Sequence, residues 1–518
     1  MPAATPCLTY ERRRPELTAL HLIVREHLET FLACVREERD AELPRYVVQE
    51  LRRYVRCGIL AYGFVRVVCS TCRKEIVVAY SCKCRGACPS CSARRMCDVA
   101  AHLVDQVMPD APVRQWVLTA PFEVRRLMAL RPEVLTACHR IFVTEIARWQ
   151  KASSGLAGAE TGSVTFVQRF HATLGSFVHF HVVQTDGVFT RDDDGAVRFH
   201  TGRAPSREEI ADVAGRVAVR MTKWLLRRKL LDKRPVEERS NEAPELSALE
   251  ASMQLSLFGA SFLRIDGGAV LEVDDDHRRG HKSLWAAESG GFNVHAGVVI
   301  HAGDREGLER LCRYGARPPF SLERISLLAD GRVAYLLRKP RSNGATHLVM
   351  TPVQFLGRIA SLIPPPRFPL QRFSGVLAPN SSWRTAVVAM RPPEASGVEP
   401  RPSTRPKKSK SKKGAAAAAV FLSPANDTLA APLLPAGAGQ RTSLGAGLVP
   451  QGSGRMDWAT LLRRVYRGDV LVCPCGGRRR IVADIHEPEA IAAILGHLGL
   501  PLEAPPLARA RDPSDYAA

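Results

Sequence analysis

The sequence contains no long apolar segment. Residues Pro2 to Arg14 include no apolar run of the length found in a signal peptide. No later segment approaches the ~18 uninterrupted apolar residues that mark a membrane-spanning helix. The pattern therefore predicts neither export nor insertion into a membrane, and we expect a cytoplasmic protein without a membrane partner.

Acidic residues are also in short supply. The 518 residues include 52 Asp and Glu against 73 Lys and Arg, which gives a formal net charge of +21 and a pI near 9.7. Such an excess favours a polyanionic partner, and nucleic acid is the polyanion we expect. With 45% hydrophobic and 24% charged residues, the chain is globular and long enough for two or three domains.

Cysteines are present and unevenly spread. Eight of the 14 cysteines lie between Cys57 and Cys97, and in a reducing compartment such crowding indicates metal binding before disulfides. The spacing of two Cys-x-x-Cys pairs, fifteen residues apart, predicts one structural zinc site held by Cys69, Cys72, Cys88 and Cys91, with residues 75–80 as a strand of a zinc ribbon. The remaining four, Cys57, Cys82, Cys84 and Cys97, form either a second, less regular site or a set of buried thiols.

Basic side chains lie close to these cysteine pairs. Arg94 and Arg95 follow the second pair, and Lys83 and Arg85 precede it. Charges of this kind are often only a solvated face of a protein. Beside a zinc ribbon in a basic chain, we interpret Arg94 and Arg95 as contacts to DNA phosphates.

Two histidines share one face of a predicted strand over residues 177–189. Because side chains alternate along a strand, His179 and His181 project from one side and Phe180 from the other. Two imidazoles on one face make half of a metal site, although ordinary half-buried histidines give the same pattern. For a third ligand we favour His295 over His171. The alternative for both is a core histidine whose ring already has its hydrogen-bond partners.

A tyrosine lies on the last turn of a predicted helix further along the chain. The helix begins at Asp304 and is stopped by Gly315 and Pro318, so Tyr314 lies on its last turn, between Arg313 and Arg317. A phenol with a pKa of about 10 becomes a useful nucleophile when nearby cations stabilise the phenolate. Packing of Tyr314 against a sheet is the alternative.

The order of elements predicts an α+β protein with four parts. A helical and zinc-ribbon-like DNA-recognition domain (1–110) precedes a nuclease domain (111–388) with a central antiparallel sheet flanked by helices. Residues 232–261 are a loop or insertion of that domain. A disordered basic linker (391–454) then leads to a small C-terminal accessory domain (456–505), in which Cys473-Pro-Cys475 has only His486 nearby. We predict dimerisation or DNA docking for it in preference to metal binding.

Several motifs in a fixed order carry a family resemblance. They are Ser81-Cys-Lys-Cys-Arg-Gly-Ala-Cys-Pro-Ser-Cys91, Gln168-Arg-Phe, His179-Phe-His181, Asp186-Gly-Val-Phe189, Leu308-Glu-Arg-Leu-Cys-Arg-Tyr314 and Arg317-Pro-Pro. In this combination the chain resembles the rolling-circle transposases of the IS91 family, over roughly residues 16–386 and 456–502.

The resemblance implies a zinc-binding domain followed by an HUH nuclease, named for its His-hydrophobic-His motif. Such an enzyme nicks and rejoins single DNA strands at the ends of an insertion sequence through a 5′-phosphotyrosine. Here the implied nucleophile is Tyr314, with Mg²⁺ or Mn²⁺ on His179 and His181. Arg169, Arg313 and Arg317 would hold the strand, and the protein would associate with the nucleoid.

Many relatives carry a second tyrosine four residues before the first, where this chain has Arg310. The chain thus resembles the single-tyrosine branch, in which either a second subunit supplies a tyrosine or Tyr314 acts twice.

Three other classes of protein compete with this interpretation. They are a relaxase or replication initiator, a zinc-ribbon regulator without nuclease activity, and a cupin-like metalloenzyme, which would need a glutamate that residues 182–191 lack.

Overall fold

The computed structural model describes residues 10–39, 42–231, 283–341, 343–390, 458–466 and 469–512. The predicted loop at 232–261 and the predicted linker at 391–454 lie outside these residues. The predicted α+β class is confirmed, with helices on both faces of a central antiparallel sheet and a cysteine-rich N-terminal region.

The described residues form eleven α-helices. They are α1 (Ala19–Arg39), α2 (Arg45–Tyr54), α3 (Pro89–Gln106), α4 (Phe122–Leu130), α5 (Pro132–Ser154), α6 (Arg207–Arg227), α7 (Arg305–Ala316), α8 (Pro352–Leu362), α9 (Arg384–Ala389), α10 (Trp458–Tyr466) and α11 (Pro488–His497). The strands are β1 (Phe64–Cys69), β2 (Glu75–Ala79), β3 (Val113–Thr119), β4 (Gly162–Phe170), β5 (Ser176–Thr185), β6 (Gly187–Arg191), β7 (Val197–Thr201), β8 (Ala286–Ser289), β9 (Phe292–Ile300), β10 (Ile325–Leu327), β11 (Val333–Leu336), β12 (His347–Met350), β13 (Gln371–Gly375) and β14 (Arg479–Ile485).

The central sheet has six strands in the order β13-β4-β5-β3-β9-β8, and the strand pairs are antiparallel. Strand alternation sends Trp116 and Phe180 to one face, where they pack with helices α4, α5 and α6. Phe166 and Val183 point to the other face and pack with α3 and α7. Covering both faces buries the middle strands, so the sheet is a rigid support for the side chains that these strands carry.

A second core joins the start of the chain to its middle. Phe31 of α1 and Leu51 of α2 pack with Phe355 of α8 and with Tyr335 of the small sheet β10-β11-β12. Tyr335 is fully buried there. Residues on both sides of the predicted boundary at 110 therefore share one hydrophobic core.

A third sheet joins the two ends of the chain. Its order is β14-β1-β2, and β14 pairs antiparallel with β1 from Phe64↔Ile485 to Cys69↔Arg479. The segment that the sequence indicates as a separate accessory domain is thus a strand of the N-terminal ribbon. Among the described residues, no helix is long and apolar enough to cross a membrane.

Candidate active site and metal centres

The two histidines lie side by side on strand β5. Their ring centroids are 4.8 Å apart, and the rings are steeply inclined to each other. His181 is only 4% exposed, while His179 is half-buried. Phe180 points into the opposite core, so the alternation expected from the sequence is what the strand adopts.

The environment of His181 favours a neutral ring. Burial lowers its pKa well below the ordinary value, and the charges of His179, Arg317 and His295 lower it further. Its Nδ1 is 3.1 Å from the side-chain amide of Gln115, whereas its Nε2 is buried without a hydrogen-bond partner. The contacting atom of Gln115 is its amide nitrogen, so a metal on Nε2 would require the amide to turn its oxygen towards Nδ1–H, which is how a metal-binding histidine is usually oriented.

His295 lies on the same face of the sheet as the pair, but on β9, two strands away from β5. Val117 of β3 is the register partner both of His181 on one side and of His295 on the other. In the described part of the chain, only two cysteine groups bring three or more His, Cys, Asp or Glu ligand atoms within 4.8 Å of one another. The third metal ligand therefore stays a prediction. His171 bonds Thr173 in the β4–β5 turn.

Tyr314 faces His181 from helix α7. Asp304 caps the start of this helix by accepting a hydrogen bond from the Gly307 N–H at 2.7 Å. At its other end the Tyr314 ring meets the His181 ring edge-on, with centroids 5.4 Å apart. Tyr314 is 38% exposed, so its phenol combines a fixed position with access for a large substrate.

The end of α7 is seated directly on strand β4. A Cβ added to Gly315 would lie 2.4 Å from the ring of Phe166, so only glycine permits this approach. The Gln168 amide donates to the carbonyls of Tyr314 and Gly315, at 2.8 and 3.1 Å. These bonds satisfy carbonyls that a helix end leaves free. Gln168 is therefore a positioning residue, and the sequence signals it only through the Gln168-Arg-Phe motif.

Of the arginines predicted to hold the strand, Arg317 is placed beside the tyrosine. Its guanidinium carbon stands 4.6 Å from the centre of the Tyr314 ring and 5.2 Å from that of Phe170. One Nη donates to Gln168 at 3.3 Å, whereas Nε and the other Nη are buried without partners. Burial lowers the pKa of Arg317, while the neighbouring Tyr314 raises it. Buried donors of this kind are suited to an anionic ligand.

The other two predicted strand contacts lie elsewhere. Arg313 pairs with Glu309 one turn back along α7. The prediction for Arg169 is wrong in this fold, because the side chain is 5% exposed and lies on the opposite face of the sheet. It donates to the Ala129 carbonyl and stands over the ring of Phe368. Alternation along β4 sends Gln168 to the tyrosine side and Arg169 to the other.

Two arginines whose charges act on Arg317 or beside it were not predicted. Arg324 stands over the Tyr335 ring at 4.6 Å and has one buried Nη atom without a partner. Burial lowers the pKa of Arg338 to about 10, with the charges of Arg317 and Arg324 acting in the same direction. Both follow α7 in the chain, and only the folded β10-β11 hairpin brings them towards Arg317.

Four buried cysteines form a compact cluster, the first quartet: Cys57, Cys82, Cys88 and Cys91. Sulfur separations are 3.7 Å for Cys57–Cys88, 3.8 Å for Cys57–Cys91 and 3.6 Å for Cys82–Cys91. Four thiolates at a Zn–S distance of about 2.3 Å place their sulfurs roughly 3.8 Å apart at the corners of a tetrahedron. The first quartet thus has the size of a single zinc site.

A second quartet consists of Cys69, Cys72, Cys473 and Cys475. Here Cys69–Cys475 and Cys72–Cys473 are separated by 3.6 and 3.7 Å. The prediction that Cys69, Cys72, Cys88 and Cys91 share one zinc ion is therefore wrong. Strand β2 runs back antiparallel to β1, which takes the chain to the other end of the ribbon before it reaches Cys82 and Cys88.

Other residues near the two quartets belong to neither of them. Arg95 donates to the Lys83 carbonyl at 3.0 Å, and burial lowers the pKa of Arg94. Cys84 donates to the Glu50 carbonyl, and Cys97 packs with Leu461 of α10. These two cysteines are buried thiols outside both quartets.

Two known protein families match the chain. The family described as "Transposase zinc-binding domain", which is that of the IS91 transposases, matches residues 23–120. The family described as "Putative transposase" matches residues 162–384. Searches among curated proteins and among solved structures found no match.

The matched ranges agree with the geometry of the sites. The zinc-binding range contains the first quartet, and the transposase range contains His179, His181 and Tyr314. Their order, a zinc-binding domain before a transposase domain, is the order that the sequence motifs predict. The chain therefore combines a zinc-binding domain of the IS91 transposases with a transposase domain that follows it.

Proposed function

We propose that this transposase nicks one DNA strand at the ends of its insertion sequence with Tyr314 as the nucleophile, and rejoins the strand from a 5′-phosphotyrosine. This chemistry would support rolling-circle transposition. The observation that carries the proposal is the edge-on contact of Tyr314 with His181, at 5.4 Å, under the Arg317 guanidinium at 4.6 Å. The proposed nucleophile Tyr314, the histidine His181 and the cation Arg317 thus lie together, and the Tyr314 side chain is accessible to a substrate.

The chemistry balances without an external energy source. The Tyr314 oxygen attacks phosphorus in line, the P–O3′ bond breaks, and the 3′ oxygen leaves with a proton as a free hydroxyl. The phenol proton passes to solvent, and the charge of Arg317 stabilises the phenolate. Because a phosphodiester has been exchanged for a phosphotyrosine, a 3′-hydroxyl can attack it in the reverse direction without ATP.

His179 and His181 are the proposed ligands of a divalent ion, with His295 as third. The unpartnered Nε2 of His181 fits such a role, and mixed nitrogen and oxygen ligation favours Mg²⁺ or Mn²⁺. When bound, the ion would act as a Lewis acid on the scissile phosphate. Zinc of the N-terminal domain is assigned to the first quartet.

The DNA strand would lie along the arginines that surround Tyr314. Arg317 and Arg324 both have buried guanidinium nitrogens without partners, and phosphate oxygens are natural acceptors for them. Arg94 and Arg95 are the proposed phosphate contacts of the zinc-binding domain. With Arg310 in place of a second tyrosine, strand exchange would use either a second subunit or two successive reactions of Tyr314.

A nicking assay tests the proposal. Purified protein is incubated with Mg²⁺ or Mn²⁺ and a labelled single strand that carries an element end, and a protein-linked DNA band is sought on denaturing gels. We expect the band with wild type and its loss in Tyr314→Phe and in His179→Ala/His181→Ala. Tyr335→Phe is the matched control, because Tyr335 is fully buried.

A band that persists in Tyr314→Phe would assign the nucleophile to another tyrosine. Protein that binds the strand and never cuts it with either metal would favour the regulator without nuclease activity. Cleavage only at a plasmid-type nick sequence would favour a relaxase or replication initiator.

A further inference from the structure

The second quartet brings together residues from the two ends of the chain. Cys69 and Cys475 are 406 positions apart in sequence, and Cys72 and Cys473 are 401 apart. Neither matched family range reaches the C-terminal pair, since the ranges end at residues 120 and 384. The zinc-binding family therefore accounts for only half of this quartet.

Both halves of the quartet are tight turns that present their sulfurs. The N-terminal turn follows β1, where the Cys69 N–H donates to the Lys74 carbonyl at 3.0 Å. The C-terminal turn precedes β14, where the Cys473 N–H donates to the Gly477 carbonyl at 2.8 Å. Each turn thus closes on itself and leaves its two thiols pointing at the other turn.

Glycines allow the two turns to approach. A Cβ added to Gly477 would lie 2.4 Å from the Thr71 hydroxyl and 2.8 Å from the Cys69 sulfur. Gly476 has a φ of +83°, in the left-handed region that favours glycine. The Cys-Pro-Cys-Gly-Gly sequence is therefore shaped for contact with the N-terminal pair.

The sulfur spacing fits a single ion better than disulfides. Separations of 3.6 and 3.7 Å are far beyond the roughly 2.05 Å of an S–S bond, and they match the tetrahedral edge of about 3.8 Å expected for zinc.

We propose that Cys69, Cys72, Cys473 and Cys475 bind a second zinc ion, which fastens the C-terminal segment to the N-terminal ribbon. The ion would hold β14 in register beside β1 and keep helix α10 against α3. Arg464 of α10 contacts both Asp105 of α3 and Glu309 of the tyrosine helix. The second zinc is thereby connected to the helix that carries the proposed nucleophile.

Metal analysis of the full-length protein is the first test. We expect two zinc equivalents per chain in wild type and one in Cys473→Ser/Cys475→Ser. Cys34→Ala/Cys138→Ala is the control, because it also removes two buried thiols but neither belongs to a quartet; it should keep both equivalents. One equivalent in wild type, unchanged by the serine substitutions, would overturn the proposal, as would iron in place of zinc.

A cleavage experiment tests the fastening itself. A site-specific protease sequence is inserted among residues 391–457, the full chain is cut, and the products are separated by size-exclusion chromatography. We expect the C-terminal fragment to stay bound in wild type and to separate at least tenfold more readily in Cys473→Ser/Cys475→Ser or after chelation. Equal retention in all three cases would contradict a zinc-dependent fastening.

A third measurement guards against simple misfolding of the serine variant. Co²⁺ added to metal-free wild type should give the absorption of tetrahedral thiolate sites with an endpoint at two equivalents, while Cys473→Ser gives an endpoint spectrum of reduced thiolate character. An endpoint at one equivalent in wild type would count against the second site. None of these measurements uses DNA cleavage, so they remain decisive even if Tyr314 is not the nucleophile.

Discussion

Arg464 donates two hydrogen bonds to the carboxylate of Glu309, from Nη2 at 2.6 Å and Nε at 2.8 Å. Glu309 lies on α7, five positions before Tyr314, and also pairs with Arg313. The third nitrogen of Arg464 reaches Asp105 on α3. Both bonds to Glu309 end on its Oε2. A guanidinium shared by two partly buried carboxylates is a specific contact, so the C-terminal segment is joined to the tyrosine helix.

Replacing Arg464 by Ala should therefore affect catalysis from a distance. Loss of this network leaves Glu309 and Asp105 with fewer partners, at a cost of roughly 1–3 kcal/mol in the free energy of unfolding. We expect a reduced rate of nicking with DNA affinity nearly unchanged, and partial recovery in Arg464→Lys, which restores charge without the fork. Arg332→Ala, at the exposed β10-β11 turn, is the control; an equal loss there would contradict a positioning role.

Gly315→Ala should displace the tyrosine helix. The added Cβ would lie 2.4 Å from the Phe166 ring, and overpacking of this kind costs about 1–3 kcal/mol. We expect a lower melting temperature and strongly reduced nicking. The double variant Gly315→Ala/Phe166→Leu should recover part of both.

Gly215→Ala is the matched control for this substitution. Gly215 lies within α6, and the nearest atom to its added Cβ is the Ser289 hydroxyl at 3.8 Å. Alanine in a helix is favoured over glycine by up to about 1 kcal/mol, so this variant should be as stable as wild type or more so. Equal losses in the two variants would show that glycine is needed for reasons other than the contact with Phe166.

Local patterns were sufficient for much of the candidate site. Strand alternation alone put His179 and His181 on one face, because the two-residue repeat is a property of the extended backbone. Capping and stop signals likewise predicted the helix that carries Tyr314 on its last turn. Alternation could also have excluded Arg169 from this face, since it follows Gln168 directly in β4.

The ligand sets of the cysteines could not be predicted from spacing. The fifteen residues between Cys72 and Cys88 fit a two-knuckle ribbon, but they contain strand β2, which returns the chain to the far end of β1. The true partners of Cys69 and Cys72 depend on pairing between β1 and β14, a contact across most of the chain. The available signal was the Cys473-Pro-Cys475 pair, which has no second cysteine pair nearby in the sequence.

The stability of the protein should depend on pH through His139. Burial, followed by the charge of Arg372, lowers the pKa of this histidine to about 4, and its Nε2 lies 2.9 Å from the Thr165 hydroxyl. Because the folded pKa is below the unfolded value of about 6.5, the unfolded chain binds the extra proton. The stabilising contribution is therefore complete above pH ~6.5 and is lost as the pH falls towards 4.

Comparison of wild type with His139→Gln isolates this effect from other titrations. The shift corresponds to at most about 3 kcal/mol, so the advantage of wild type in melting temperature should shrink as the pH is lowered from ~7.5 to ~5. Thermal unfolding at several pH values measures it. A constant difference over that range would show that His139 does not titrate as its burial implies.

Two arginines on opposite faces of β4 should respond differently to substitution. Arg317 stands over the Tyr314 ring with unpartnered buried nitrogens, so Arg317→Gln should reduce nicking about 100-fold or more, as for other groups that stabilise charge in a transition state. If Arg317 contacts one phosphate, the salt dependence of strand binding should fall by about one unit of slope.

Arg169→Gln should instead destabilise the fold, because it removes the bond to the Ala129 carbonyl and the packing on Phe368, while the salt slope stays unchanged. Binding isotherms over a range of salt concentrations, together with melting curves, separate the two cases. An unchanged slope and rate in Arg317→Gln would remove this arginine from the proposed strand contacts and leave it only its contacts with Gln168 and Phe170.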